Sequence, residues 1–336
     1  MPYAAITGWG MHVPERVLTN VELSTMVDTT DAWIVSRTGI RERRIAGEHE
    51  TSTSVSVAAA RAACARAELD PSELDLFIVG TFTPDQYMPS VASRVQAELG
   101  ARRAGAFDVN AACTSFVYAL SVGAQFVRSG TYQRVLVVGS DITSRFLDYT
   151  DRGTCVLFGD GAGAVVLEPS EREEGWLSTV LGSDGTAGHH LTLGDPATSA
   201  SLNGDRAVER PFMKMNGAEV FRFAVRVMGD AAAEAILRAG MTYDDIDLMV
   251  PHQANLRIID AAAKRLELPR DKVWVNVERY GNTSSASVPI CLVEAEAAGA
   301  IQDGMDIVVV AFGGGLTWAA GVVRWGASGV SRDRTH

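Results

Sequence analysis

Cys113 lies in Asn110-Ala-Ala-Cys-Thr-Ser-Phe, between an apolar run and a small-residue stretch with helical spacing. A thiol at a helix start feels the positive end of the peptide dipoles and the free backbone N–H groups there. Both favour thiolate relative to the free-cysteine pKa of about 8.5, and small neighbours let a bulky thioester approach. The expectation is a nucleophile. The same surroundings suit a small buried hydrophobe, the reading given to Cys64 and Cys291 in alanine-rich stretches and to Cys155 before Val156-Leu157-Phe158. His252, in Val250-Pro-His-Gln-Ala-Asn-Leu-Arg, ends one apolar strand and precedes a helix, a place where open α/β folds bind ligands. A hydrogen-bonded structural histidine fits there too, as structural or exposed roles fit His12, His49, His189, His190 and His336. Asn282, in Tyr280-Gly-Asn-Thr-Ser-Ser-Ala, reads alone as a turn or cap residue.

The elements that must hold these residues alternate. Leu76-Phe-Ile-Val-Gly80 reads as a buried strand after the helical stretch Val55–Leu69, and Arg134-Val-Leu-Val-Val-Gly139 as another after the helix Ser115–Arg128. That order predicts a parallel α/β architecture. The second half repeats the first. Glu73-Leu-Asp-Leu-Phe-Ile-Val is echoed by Asp245-Ile-Asp-Leu-Met-Val, each after an alanine-rich helix, the second spanning Asp230–Gly240. Phe107-Asp-Val-Asn-Ala-Ala-Cys-Thr-Ser is echoed by Val275-Asn-Val-Glu-Arg-Tyr-Gly-Asn-Thr-Ser, each read as a strand followed by a helix start. Phe158-Gly-Asp-Gly-Ala-Gly is echoed by Phe312-Gly-Gly-Gly-Leu-Thr. An internal duplication with halves 1–174 and 175–336 follows. Gly185–Pro211 reads as a long irregular surface loop and the tail after Trp325 as frayed.

Composition narrows the function classes. Apolar residues make up 47% and charged residues 21%, which supports a large core and argues against disorder. A net charge of −11 repels nucleic acid and anionic lipid. The opening Met1-Pro-Tyr-Ala-Ala-Ile-Thr-Gly has neither a basic region nor a long apolar stretch, and no run approaches the ~20 apolar residues of a membrane span. The expectation is a soluble, cytoplasmic chain. The cysteines form no CxxC pair, which argues against a disulfide framework or zinc site. Gly159-Asp-Gly-Ala-Gly163 runs into Val-Val-Leu without G-x-G-x-x-G spacing, which weighs against a nucleotide-binding module.

Together Asn-Ala-Ala-Cys, Pro-His-Gln-Ala-Asn-Leu-Arg-Ile, Gly-Asn-Thr-Ser-Ser-Ala-Ser-Val-Pro and Phe-Gly-Gly-Gly-Leu-Thr-Trp resemble, in order, the motifs of the β-ketoacyl-acyl carrier protein synthase III family. Asp31-Ala-Trp-Ile-Val-Ser-Arg-Thr-Gly-Ile-Arg-Glu-Arg and Asp151-Arg-Gly-Thr-Cys-Val-Leu-Phe-Gly-Asp-Gly-Ala-Gly extend the likeness, which covers residues 3 to about 326. The resemblance implies a thiolase-like, internally duplicated five-layered αβαβα fold, a homodimer, and decarboxylative condensation of an acyl-coenzyme A with malonyl-acyl carrier protein, with no metal or redox cofactor.

It also implies residue roles. Cys113 would be acylated. His252 and Asn282 would stabilise the enolate left by malonyl decarboxylation, and backbone N–H groups of Cys113 and Gly314 would form a second oxyanion hole. Coenzyme A would meet Trp33, Arg37, Arg152, Gly217, Phe221 and Asn255. The acyl pocket would include Phe312 and, across the dimer, Met88. An acidic carrier protein needs a local positive patch on an acidic enzyme. Arg257 and Lys264, two helical turns apart, with Arg222, Arg226 and Arg265 nearby, are the candidates. Two departures from the family, Thr114-Ser115 after the cysteine and Ala319 after Trp318, bear on acyl-chain preference. A related ketosynthase of secondary metabolism is the rival reading, and a catalytically silent relative a more distant one. A biosynthetic thiolase is disfavoured, since Phe312-Gly-Gly-Gly-Leu-Thr lacks a second catalytic cysteine.

Overall fold

The computed structural model describes residues 1–194 and 212–326. The first half runs β1 (Tyr3–His12), β2 (Val17–Thr19), α1 (Asn20–Leu23), α2 (Asp31–Thr38), β3 (Glu42–Arg44), α3 (Ser52–Arg66), β4 (Leu76–Gly80), α4 (Val91–Glu98), β5 (Gly105–Val109), α5 (Ser115–Arg128), β6 (Val135–Ile142) and β7 (Asp160–Ser170). The second runs β8 (Gly175–Trp176), β9 (Val180–Ser183), β10 (Leu191–Leu193), β11 (Met213–Met215), α6 (Gly217–Arg238), β12 (Leu248–Pro251), α7 (Leu256–Arg265), α8 (Val277–Tyr280), α9 (Ser287–Ala297), β13 (Asp306–Gly313) and β14 (Thr317–Arg324).

Two five-stranded sheets carry the fold. The first has the order β1-β7-β6-β4-β5, with β4 parallel to β5 and β6. The second has the order β12-β13-β14-β8, with β9 also on β14 and with β12 parallel to β13. All of β4 is buried, and its side chains alternate between faces. Leu76 and Ile78 meet α5 and α9 in a core shared by the two sheets, while Phe77 and Val79 meet α3 and α4. On the far side, Met249, Val308 and Val310 of the second sheet pack on α6 and α7. The layers are therefore α3/α4, sheet, α5/α9, sheet, α6/α7, the five-layered αβαβα order the resemblance implied. No described helix is long and apolar enough to cross a membrane.

Several boundaries differ from the sequence reading for local reasons. α3 begins at Ser52, upstream of Val55, because Thr51 and Ser54 cap each other's backbone N–H groups. The alanine-rich stretch from Asp230 is only the second half of α6, which Asn216 caps. Val275-Asn-Val is not a strand. The second sheet keeps only a bridge between Met249 and Val273 there, and the chain turns straight into α8. The supposed irregular loop from Gly185 begins with a 3-10 turn (Gly185–His190) and β10. Its remainder, 195–211, and the tail from 327 lie outside the described residues.

Candidate active site

The chain leaves β5 and reaches α5 through a 3-10 turn, Ala112–Thr114, that carries Cys113. Ala112 has φ 50°, a left-handed conformation that a side chain disfavours. Local bonds hold it. Ser115 Oγ accepts from Ala111 N at 2.8 Å and donates to Ala112 O at 2.6 Å. Thr114 Oγ1 lies 2.6 Å from Ala111 O and 2.9 Å from Thr317 Oγ1. Thr114 and Ser115, the first of the two departures from the family pattern, thus tie the cysteine turn to itself and to β14. Gly313 presses so close that a Cβ there would sit 2.7 Å from Cys113 N, an approach only glycine permits.

Cys113 is buried, and Ser284 Oγ donates to its Sγ at 3.2 Å. Burial pushes the thiol up to about 12, with the Ser284 hydroxyl acting in the opposite direction. This differs from the lowered value expected at a helix start. Desolvation, which the local sequence does not reveal, outweighs the helix end.

His252 follows β12, and its N–H donates to Val310 O at 2.8 Å. The ring is 1% exposed, and burial lowers it to about 3, so the imidazole is neutral. Nδ1 lies 2.6 Å from Ser287 Oγ, Nε2 is buried without a partner among the described residues, and Phe312 packs edge-on with ring centroids 5.5 Å apart.

Asn282 sits between α8 and α9. Its N–H donates to Leu157 O, and its carbonyl accepts from Gly159 N, so the segment before β7 fixes its backbone. Its Oδ1 accepts from Ser284 N at 2.8 Å, which leaves the amide N–H₂ as the end available to a ligand.

One cavity of about 80 Å³ brings together Cys113, His252 and Asn282 with the expected Phe312, Gly217, Phe221 and Asn255. Gly313 forms part of its wall, whereas Gly314 does not line it and packs near Leu191 and Ala112. Leu157, Phe158, Leu191, Met215 and Ile258 also line it and were not foreseen, since nothing in their local sequence distinguishes them from core residues.

Trp33, Arg37 and Arg152 do not line the cavity. They cluster together, with the guanidinium carbons 4.5 Å (Arg37) and 4.8 Å (Arg152) from the Trp33 ring centroid. Asn255 Nδ2 donates to Arg37 O at 3.0 Å and so joins the two regions. Met88, 84% exposed, does not line the cavity of its own chain. The positive candidates are partly matched by carboxylates. Arg222 pairs with Glu219 at 2.8 Å and Arg265 with Asp230 at 3.2 Å, while Arg257 covers the Phe221 ring at 5.1 Å. Arg226 and Lys264 are exposed, and Asp260 shares their side of α7 with Arg257 and Lys264.

Comparison with known proteins decides what this arrangement belongs to. Residues 107–185 match the 3-oxoacyl-[acyl carrier protein] synthase III family profile, and residues 236–325 match the C-terminal profile of the same family. A β-ketoacyl-[acyl carrier protein] synthase III of Roseiflexus castenholzii is 53% identical over 97% of this chain and 99% of its own. The chain belongs to the β-ketoacyl-acyl carrier protein synthase III family. It is an acyltransferase of the condensing type with a thiolase-like fold. The synthase III structure from Thermus thermophilus superposes with a TM-score of 0.90 at 47% identity, covering 96% of this chain and 100% of that one. The priming β-ketosynthase of the R1128 polyketide pathway gives 0.90 at 41% identity, covering 97% of each.

Proposed function

We propose that this synthase III accepts an acyl group from coenzyme A onto Cys113 and condenses it with malonyl-acyl carrier protein, starting fatty acid synthesis in the cytoplasm, where coenzyme A thioesters are made. The observation that carries the residue roles is that one cavity is lined by Cys113, His252 and Asn282 together. In the first half-reaction Cys113 Sγ attacks the thioester carbon, coenzyme A leaves as thiolate, and the thiol proton ends on it. The Cys113 N–H, with the Gly313–Gly315 loop beside it, faces the developing oxyanion. In the second, the C–C bond to the malonyl carboxylate breaks and carbon dioxide leaves. The enolate oxygen takes hydrogen bonds from His252 and Asn282, and its carbon attacks the acyl-Cys113 thioester. Cys113 departs as thiolate and takes up a proton. The thiol supplies the nucleophile and the lost carboxylate supplies the carbanion, so the proposed chemistry draws on no metal or redox group.

In this reading coenzyme A lies over Trp33, displacing one of its two guanidiniums. The pantetheine arm follows Asn255, Phe221 and Gly217 inward. A homodimer is part of the proposal. It is supported by β5, an edge strand whose five residues are all half-buried within one chain, and by exposed Tyr87 and Met88. Met88 then reaches the partner's acyl pocket, where a flexible side chain suits starters longer than acetyl. The likeness to the R1128 priming ketosynthase favours a second reading, a starter enzyme for a secondary pathway.

Intact-protein mass spectrometry after mixing with acetyl-, butyryl- and branched acyl-coenzyme A tests both. Acyl adducts that vanish in Cys113→Ala are expected, and the starter giving the fastest adduct separates the pathways. Undiminished condensation by Cys113→Ala overturns the nucleophile. Met88→Phe is expected to shift kcat/KM toward acetyl-coenzyme A, and an unchanged ratio removes Met88 from the pocket.

A further inference from the structure

We propose that Ser287 is a positioning residue that holds His252 in the tautomer whose Nε2 carries the hydrogen, so that His252 meets the thioester oxygen only as a hydrogen-bond donor. This rests on the role given to His252 above.

A neutral imidazole has one hydrogen to place on two nitrogens. Ser287 is itself 1% exposed, its Oγ is 2.6 Å from His252 Nδ1, and among the described residues its hydroxyl has no other hydrogen-bond partner. If the serine donates to Nδ1, its own hydrogen is used and the ring hydrogen must sit on Nε2. If Nδ1 donates to the serine instead, the hydroxyl hydrogen is buried without an acceptor, and the cavity faces a lone pair. The first arrangement leaves no protein donor unmade except the one presented to substrate. The second leaves one buried and wasted, which folded proteins avoid. Nε2 is buried and, among the described residues, unpartnered in a residue that lines the cavity, so it is the ring nitrogen left for substrate. Phe312, edge-on to the ring, offers no competing polar partner.

Asn282 shows the same device. Its accepting atom, Oδ1, is occupied by Ser284 N, so its N–H₂ is the end that faces the reaction. Both groups thus have their acceptor engaged by the turn that begins α9, one by a backbone N–H and one by the Ser287 hydroxyl. A lone pair on either would repel an enolate oxygen, and two fixed donors stabilise it.

The test uses the full-length protein labelled with ¹⁵N-histidine, the His252 signals being assigned by their loss in His252→Ala. The wild type is expected to show a protonated Nε2 and an unprotonated Nδ1, and Ser287→Ala a mixture of both tautomers. Malonyl-carrier-protein decarboxylation is expected to fall about tenfold in Ser287→Ala, while acyl transfer to Cys113 stays within about twofold. Ser287→Thr, which keeps the hydroxyl, is expected to restore tautomer and rate. A wild type protonated on Nδ1 overturns the proposal, as does Ser287→Ala with the wild-type tautomer and rate. Should Ser287→Ala fail to fold, the wild-type spectrum decides the tautomer, and Ser287→Cys, isosteric with a weaker donor, carries the kinetics. Decarboxylation at the wild-type rate in His252→Ala sinks the role of His252 itself. Loss in His252→Ala with none in the Ser287 variants sinks the positioning alone.

Discussion

The turns that open α5 and α9 are built alike and employed differently. Each is a 3-10 turn whose first residue, Ala112 or Ser284, has a left-handed φ near 50°, and each leads into a helix beginning at a serine, Ser115 or Ser287. Aligned on those features, Cys113 falls opposite Ser285. Cys113 faces the cavity. Ser285 turns away, its Oγ 2.7 Å from Asp141 Oδ2 and 2.9 Å from Gly80 O. Asp141, fully buried, also accepts from Thr81, Phe82 and Thr83. One turn carries the proposed nucleophile. Its counterpart anchors itself and lends its remaining groups, Asn282, Ser284 and Ser287, to the first. Two turns of like geometry thus meet at the cysteine, and the proposed roles divide the labour between them.

Exchanging losses across this pair gives the largest contrast. Cys113→Ala is expected to abolish acyl-enzyme formation and condensation while leaving the denaturation midpoint unchanged. Ser285→Ala is expected to lower stability by about 1–3 kcal/mol, because a buried carboxylate loses a donor, and to leave an acylatable thiol. Urea titration and mass spectrometry of both variants check this. Stability loss in Cys113→Ala, or full stability in Ser285→Ala, breaks the comparison.

Next comes the division between half-reactions. Asn282→Ala is expected to cut malonyl decarboxylation about 10²-fold or more, the scale of removing an oxyanion donor, and to leave acyl transfer to Cys113 largely intact. Equal loss in both steps shows that Asn282 does not serve decarboxylation alone.

Ser284 sharpens the point with a smaller effect. Its hydroxyl acts against the burial that raises the Cys113 thiol, so removing it leaves the thiol titrating higher still. At a fixed pH below that range less thiolate forms, and Ser284→Ala is expected to slow alkylation of Cys113 and acylation roughly three- to tenfold. The alkylation profile should move to higher pH. An unmoved profile means that the contact at 3.2 Å does not tune the thiol.

These partners show where sequence reading stops. The apolar run Leu76–Gly80 and the helix Ser115–Arg128 were legible to the residue, because burial on both faces and helical spacing are local patterns. Cys113, His252 and Asn282 were legible as motifs, but not the echo's register, which set Cys113 beside Asn282 rather than Ser285. Among the described residues the second half has no strand matching β5, so the spacing on which the echo was aligned is altered there. Ser284 and Ser287 were invisible as partners: a serine at a helix start reads as a cap, and its contact with Cys113 or His252 depends on how two distant segments meet.

The smallest expected effect lies on the rim, where a long-range field rather than a fitted contact does the work. An acidic carrier protein approaching a chain of net charge −11 must find a local positive region. Arg257 and Lys264 lie two turns apart on α7, whose N-cap is Asn255 of the cavity wall. The pairing of Arg222 with Glu219 and of Arg265 with Asp230, and the presence of Asp260, dilute the patch, so its effect on docking should be modest. Exposed charges at such distances are screened by salt. Arg257→Glu with Lys264→Glu is therefore expected to raise KM for malonyl-carrier protein about three- to tenfold at low salt, with the difference shrinking as salt is added. Acylation of Cys113 by acyl-coenzyme A should change less, since the path proposed for it runs past Trp33 and Arg37. Steady-state kinetics at two ionic strengths read both quantities. An unaltered KM at low salt places the carrier's landing surface elsewhere, and an equal loss in both half-reactions means that the substitutions damage the cavity wall rather than the field in front of it.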